Sequence, residues 1–343
     1  MLSLGFSLRR RSPFPWRSLI VVFGALTITG CGGPTSPPSL GPILVCPSPV
    51  RVTSTNGNAT PVVYETPQIV AGEAPFRSSC TPPSGSNFQI GASTVVCTVT
   101  DSAARTDSCS FTVTVTAPTT ITLTRFMAFG NSITEGKLGD GSGTIISNNY
   151  PEVLRGLMAS RYTSQNIEVK NKGLGGEFTP DGAIRLTGEL DAVRPQVLLL
   201  EEGINDLSSG SASSISPMIE NLRSMVREAQ RRDITVFLAT LTPVRIGSPK
   251  GDSAFPLVGT ANDRIRGIAL TERANLVDLH VAFGGIAGTL IDADGLHPNA
   301  QGYQRIAETF FDRIRATLEG SLPIGPVFVR HMPVPDMPGM EFR

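Results

Sequence analysis

The sequence has little of several features that would direct it to particular functions. Its formal net charge is zero, with 29 basic and 29 acidic side chains, and no basic block predicts a nucleic-acid partner. The apolar stretch at residues 18–28 is too short to cross a hydrocarbon core of ~30 Å as a helix, so a transmembrane anchor is the less favoured interpretation. Only His280, His297 and His331 are available as an imidazole base.

The first residues have the pattern of an export signal. A segment with four arginines and no acidic residue precedes the apolar stretch. Ile28, Thr29, Gly30 and Cys31 resemble the bacterial lipobox, which implies cleavage before Cys31 and lipidation of that cysteine. More than one acyl chain would give stable membrane anchoring. We therefore expect a signal peptide at residues 1–30 and an exported chain, lipid-anchored to the cell envelope through Cys31.

The five cysteines are confined to the first third of the chain. With Cys31 used for lipidation, Cys46, Cys80, Cys97 and Cys109 remain, and an even number in a short exported segment predicts two disulfides. A zinc site is the alternative, but the spacing contains no CxxC pair. Four cysteines allow three pairings, and the spacing does not select among them.

Composition divides the remaining chain into segments. Residues 31–43 are rich in Gly, Pro and Ser and predict a flexible tether. Residues 44–117 have strand character: Phe111, Val113 and Val115 alternate with threonines, and residues 95–100 and 61–65 predict further strands. Short strands without a helical pattern favour a small antiparallel β-sandwich.

The cysteine-bearing motifs of this segment resemble those of the HYR (hyalin repeat) domain, an immunoglobulin-like module. The matching motifs are Cys46-Pro47, residues 80–86 (CTPPSGS), Gly91, residues 97–101 (CTVTD) and residues 109–113 (CSFTV). The resemblance implies that the sandwich acts in adhesion or as a spacer domain, with a glycan or a protein as its partner. A simple stalk that holds the next domain away from the membrane is an equal alternative.

Residues 121–320 change to alternating strand and helix patterns. The predicted strands are residues 121–129, 167–170, 197–201, 234–240 and 276–278. Apolar residues at helical spacing lie between and after them, as at Ile219, Leu222 and Val226. This alternation predicts a three-layer α/β/α fold with a five-stranded parallel sheet. Residues 321–343 are Pro-rich and Met-rich without a period and predict an irregular tail.

Small and polar residues follow the predicted strands, where open parallel sheets bind ligands. Ser132 follows the first strand in the motif Gly-Asn-Ser-Ile-Thr, and Gly176 ends a glycine-rich segment after the second. Asn205 follows the third strand. Near the end, Asp294 lies three residues before His297, and Pro298 suggests that a helix begins there. A carboxylate at this spacing can orient an imidazole as a base.

Taken together, these four blocks resemble the SGNH (GDSL-like) hydrolase superfamily, whose markers Ser, Gly, Asn and His would be Ser132, Gly176, Asn205 and His297. The resemblance implies a flavodoxin-like fold and acyl transfer to water without a metal or organic cofactor. Ser132 would be the nucleophile and His297 the base, oriented by Asp294 or, less favourably, by Asp292. The oxyanion hole would comprise the N–H groups of Ser132 and Gly176 and the amide of Asn205.

Two residues depart from the family pattern. Asn131 stands where Asp usually precedes the serine, and Ile204 stands where Thr is common. Neither has a triad role, so we expect an active serine esterase. The substrate would be a small-molecule or polysaccharide ester, because the segment at residues 139–147 is polar rather than an apolar flap. The alternatives are an adhesion or scaffold lipoprotein with an inactive hydrolase domain, and a carbohydrate-binding surface protein with incidental esterase activity.

Overall fold

The structure is a computed structural model that describes residues 40–320. The expected signal peptide, Cys31, most of the tether, the tail from residue 321 and His331 lie outside the described residues. Within residues 40–320, no helix combines the length and the apolar character that crossing a membrane requires.

The first part of the described chain consists of eight strands in three sheets. The strands are β1 (Ile43–Val45), β2 (Val50–Thr53), β3 (Thr60–Pro61), β4 (Gln68–Ala71), β5 (Arg77–Thr81), β6 (Asn87–Phe88), β7 (Gly91–Thr100) and β8 (Thr106–Thr116). The main sheet has the order β2-β8-β7-β5, while β1 pairs with β4 and β3 with β6. One prediction was wrong in detail: β2 runs parallel to β8, so the module is not wholly antiparallel.

A single core joins these sheets. Phe111, Val113 and Val115 alternate into it from β8, as their spacing predicts, and Val62 and Tyr64 cover them. The predicted strand at residues 61–65 pairs only over Thr60–Pro61.

Two disulfides link the sandwich internally. Cys46 bonds to Cys109 and Cys80 bonds to Cys97, so the prediction of two disulfides is confirmed and the pairing is assigned. All four sulfurs are oxidised, which leaves none of these thiols to bind zinc. Cys80 and Cys97 are direct partners across β5 and β7, so their bond reinforces a ladder that the backbone already forms.

The second part contains the predicted five-stranded parallel sheet. Its strands are β10 (Arg125–Gly130), β11 (Glu168–Gly173), β12 (Val197–Glu201), β13 (Thr235–Ala239) and β14 (Asn275–Val277), in the order β11-β10-β12-β13-β14. Every residue of β12 is buried, as expected for a strand covered on both faces. The predicted strand at residues 121–129 is divided, because Thr120–Ile121 forms a separate strand, β9, that pairs with β15 (Glu319–Gly320).

Helices cover both faces of this sheet. They are α1 (Ser132–Glu135), α2 (Tyr150–Arg161), α3 (Thr179–Val193), α4 (Ile215–Gln230), α5 (Phe255–Thr271), α6 (Leu279–Ala282) and α7 (Ala300–Leu318). On one face α2 packs against α7, where the rings of Tyr150 and Phe310 stack at 5.3 Å; on the other, α4 packs against α3 and α5. The apolar residues at helical spacing, including Ile219, Leu222 and Val226, are buried. The predicted fold class is therefore confirmed.

Candidate active site

The ends of three neighbouring strands bring the candidate blocks together. Gly130 at the end of β10 is in register with Gly173 at the end of β11 and with Glu201 at the end of β12. The loops that carry Ser132, Gly176 and Asn205 therefore start at one level of the sheet. The chain order reverses direction between β10 and β12, and such a switch point is where open α/β sheets bind ligands.

The serine lies on a tight turn between β10 and α1. The side chain of Asn131 caps α1, because its Oδ1 accepts the N–H of Ile133 at 2.9 Å. Gly130 allows β10 to pass close to β12: a Cβ there would lie 1.8 Å from the carbonyl oxygen of Glu201. Only glycine fits this position, and the close approach fixes the start of the turn that presents Ser132.

A continuous hydrogen-bond chain connects Ser132, His297 and Asp294. The Oγ atom of Ser132 lies 2.8 Å from Nε2 of His297, and Nδ1 of His297 lies 2.5 Å from Oδ2 of Asp294. Ser132 and His297 are each 4% exposed, so both are shielded from bulk water. If Asp294 accepts the proton on Nδ1, the tautomer of His297 leaves Nε2 free to take the serine proton.

The surroundings of Asp294 keep it anionic. Burial raises its pKa, but the hydrogen bonds from the His297 ring and from the backbone N–H groups of Leu296 and His297 together outweigh burial. The net effect places the pKa of Asp294 well below the usual range. Nζ of Lys250 also lies 3.1 Å from Oδ2 of Asp294. A charged carboxylate is the form that stabilises an imidazolium.

Asp292, the less favoured partner for His297, makes a different contact. Its Oδ2 accepts the N–H of Gly139 at 3.0 Å, and the carbonyl of Gly139 accepts the N–H of Asp294 at 3.0 Å. Asp292 therefore holds the segment after α1 against the loop that carries Asp294. Within residues 40–320, no hydrogen bond joins its carboxylate to the imidazole of His297.

Gly176 and Asn205 lie on two loops that are bound to each other. The amide of Asn205 donates to the carbonyl of Glu177 at 2.8 Å, and Asp206 accepts both the N–H and the hydroxyl of Thr179. Among residues 40–320, the backbone N–H groups of Ser132 and Gly176 have no hydrogen-bond acceptor. These donors are therefore available to an anion beside Ser132.

Comparison with known proteins identifies the family. Residues 128–305 match the sequence profile of the GDSL-like Lipase/Acylhydrolase family, and residues 35–115 match that of the HYR domain. The chain is 25% identical over 206 residues to an acetylxylan esterase of Geobacillus stearothermophilus, covering 55% of this chain and 93% of that protein. It is 27% identical over 165 residues to esterase TesA of Pseudomonas aeruginosa, and the match covers 47% of this chain and 78% of that protein.

A solved structure, that of a lipase/acylhydrolase from Enterococcus faecalis, is also similar. It is 23% identical with a TM-score of 0.49, and the match covers 57% of this chain and 97% of that one.

The chain belongs to the GDSL-like lipase/acylhydrolase family. It is therefore a carboxylic-ester hydrolase with an SGNH domain that follows a HYR domain, as the sequence motifs predict.

One local prediction beside the histidine needs correction. Helix α7 begins at Ala300 with Asn299 as its N-cap, so Pro298 does not occupy the first helical position. Pro298 instead bridges to Ile291 and closes a loop around the histidine of the hydrolase. The Asp294-to-His297 segment is a turn held by the Asp294 carboxylate. His280 lies in the short helix α6, and no hydrogen bond joins it to Ser132 or Asp294 within the described residues.

Two further residues at the hydrolase site have no signal in the sequence. Gly139 contributes backbone contacts to both Asp292 and Asp294, and Lys250 contributes a charge to Asp294. Each lies more than forty residues from the loop that it contacts, so local spacing could not identify either.

The contact at Gly139 leads to a prediction. A Cβ atom at this position would lie 2.2 Å from Oδ1 of Asp294 and 2.9 Å from Cβ of Asp292. Gly139→Ala should displace Asp294 from His297 and lower kcat for an aryl ester by about 100-fold, the typical cost of misplacing a catalytic group by an ångström. Steady-state kinetics with p-nitrophenyl acetate would measure this effect.

Gly156→Ala is the matched control, because Gly156 lies on α2 where an added Cβ would meet no atom beyond the helix's own backbone within 4 Å. We expect its kcat to equal that of the wild type. Full activity in Gly139→Ala would contradict the assigned role of this contact.

Proposed function

We propose that the chain hydrolyses esters through a Ser132–His297–Asp294 triad. The observation that carries this proposal is the continuous hydrogen-bond chain, with contacts of 2.8 Å and 2.5 Å, in which Ser132 and His297 are buried. His297 would remove the proton of Ser132 as the hydroxyl attacks the ester carbonyl, then return it to the departing alcohol. Water would cleave the acyl-enzyme in a second, symmetrical step.

The oxyanion of each tetrahedral intermediate would bind at the donors beside Ser132. These donors are the N–H groups of Ser132 and Gly176 and the amide of Asn205. The second amide hydrogen of Asn205 remains for substrate, because one donates to the carbonyl of Glu177. Losing one such donor typically raises a barrier by about 2.7–4 kcal/mol.

We further propose that the substrate is a short acyl ester, an acetyl group on a polysaccharide being the favoured case. The segment after Gly139 is polar and exposed, which does not suit a long acyl chain. A cavity of about 480 Å³ beside Asp294 is lined by Lys137, Asp140 and Lys250 among others, and these charged side chains can form hydrogen bonds with the hydroxyl groups of a sugar. The similarity to an acetylxylan esterase supports the same choice.

The acyl preference is testable with a series of p-nitrophenyl esters from acetate to octanoate, followed by acetylated xylan. The wild type should cleave the acetate fastest and release acetate from the polymer, and Ser132→Ala should lower kcat by several orders of magnitude. Ser160→Ala, a change on the exposed face of α2, is the control. Equal activity in Ser132→Ala would remove the proposed nucleophile, and a preference for octanoate would overturn the short-acyl proposal.

We also propose that the enzyme is exported and anchored to the cell envelope through Cys31. The two disulfides support export, because such bonds persist in oxidising compartments. The HYR domain would then hold the hydrolase away from the membrane.

Metabolic labelling with a palmitate analogue tests the anchor. The wild type should carry the label and sediment with membranes, whereas Cys31→Ser should be unlabelled and soluble. An unlabelled wild-type chain would contradict the proposal.

A further inference from the structure

A buried polar pair lies directly beneath the proposed nucleophile. Asn131, the residue before Ser132, is 0% exposed, and Glu202, after the end of β12, is 1% exposed. Nδ2 of Asn131 donates to Oε1 of Glu202 at 3.2 Å. The pair therefore connects the turn of Ser132 to the loop of Asn205, which lies three residues after Glu202 along the chain.

The orientation of the Asn131 amide follows from its partners. Its Oδ1 must face the N–H of Ile133, because that backbone group can only donate. The NH₂ group consequently faces Glu202, and the two bonds hold the side chain from opposite ends. Any movement of Glu202 would be transmitted to the helix cap that positions Ser132.

Glu202 is buried without a cation of its own. Its Oε1 accepts from Asn131 and from the N–H of Gly203, both at 3.2 Å, and its Oε2 has no partner among residues 40–320. Arg185 lies nearby, but it is bonded to Glu177. Burying a carboxyl group with an unpartnered oxygen is energetically unfavourable, so we expect Glu202 to have a function that offsets this cost.

The charges around Glu202 favour its neutral form. Burial is the largest cause, and the acidic groups of Glu201 and Glu177 add to it, so the pKa of Glu202 lies well above the usual range. Bonds from Asn131 and Gly203 oppose this effect only partly. Glu177 is paired with Arg185, and Glu202 adds to the burial that raises the pKa of the Tyr150 phenol.

The residue types at the two positions match each other. Asn131 supplies an amide donor, and Glu202 supplies a carboxyl acceptor. An Asp at position 131 would place a second carboxylate about 3.2 Å from Oε1 of Glu202, and two such groups cannot both be charged in a buried site. An amide at this position is the donor that a carboxyl acceptor requires.

We infer that Glu202 is a positioning residue that holds the Ser132 turn through Asn131. This inference rests on the proposed function of Ser132. Oε1 of Glu202 can accept from the Asn131 amide whether the carboxyl group is neutral or charged. The contact between Asn131 and Glu202 in the wild type therefore does not require protonation of Glu202. Titration of Glu202 should not change kcat of the wild type with pH.

Asn131→Asp gives the decisive test. The two carboxyl groups would share one proton at low pH and lose it as the pH rises through the elevated pKa of the pair, after which their repulsion would displace the turn. For p-nitrophenyl acetate, kcat should be close to that of the wild type at the acidic end of the pH profile. It should then fall by about tenfold to 100-fold along a new alkaline limb, with KM little changed.

Combining Asn131→Asp with Glu202→Gln reverses the donor and acceptor. The Gln amide donates to the Asp carboxylate without a shared proton, so the new limb should disappear. The loss of kcat at high pH should be reversed only in part, because the N–H of Gly203 donates to the same atom of residue 202 in the wild type. Asn131→Asp with Glu201→Gln is the matched control, because it neutralises the neighbouring buried acid and should retain the limb.

Three measurements decide the inference. The inference is supported if Asn131→Asp loses kcat at alkaline pH and only Glu202→Gln removes this loss. It is overturned if the pH profile of kcat for Asn131→Asp coincides with that of the wild type. It is also overturned if the alkaline loss persists with Glu202→Gln. If circular dichroism shows that Asn131→Asp does not fold, Glu202→Leu is the second variant, because it removes the acceptor without adding charge. This variant should lower kcat about tenfold at unchanged KM. An unchanged kcat would overturn the inference. Failure of the proposed function is distinguishable, because Ser132→Ala would then retain activity.

Discussion

Gly130 lies between Gly173 and Glu201 in the parallel sheet, and this register brings three loops from distant parts of the chain to one edge. The approach of β10 to β12 is so close that no side chain fits at Gly130. Every residue of β12 is buried, so a slip of this strand against β10 would move apolar residues out of the core. Ser132 and the two proposed oxyanion loops take their positions from this one constraint.

Carboxyl groups within this small region have opposite environments. Asp294 accepts several N–H bonds, which hold its pKa low despite burial. Glu201 has one hydroxyl donor, and burial raises its pKa to about 7. Burial and the neighbouring acids Glu201 and Glu177 also raise the pKa of Glu202 well above its usual range. Burial raises the pKa of each group, and only at Asp294 do the hydrogen-bond donors outweigh it. The fold thus places a charged carboxylate beside His297 and carboxyl groups with a raised pKa near Ser132.

Local patterns in the sequence were sufficient to predict the sheet, the main helices and the blocks that carry Ser132, Gly176, Asn205 and His297. Buried strands appear as apolar runs, and each block directly follows a strand or precedes a helix. The parallel pairing of β2 with β8, the disulfide pairing and the contacts of Glu202 and Gly139 were not predictable in this way. Each depends on residues far apart in sequence, whose meeting is decided by tertiary packing.

The identity of the nucleophile is the central claim, and covalent labelling tests it most directly. The protein would be treated with a fluorophosphonate, digested, and analysed by mass spectrometry for the modified peptide. The structure predicts a single adduct on Ser132, formed in step with loss of esterase activity and absent from Ser132→Ala. Complete inactivation with the adduct on another residue, or full activity after Ser132 is labelled, would contradict the account.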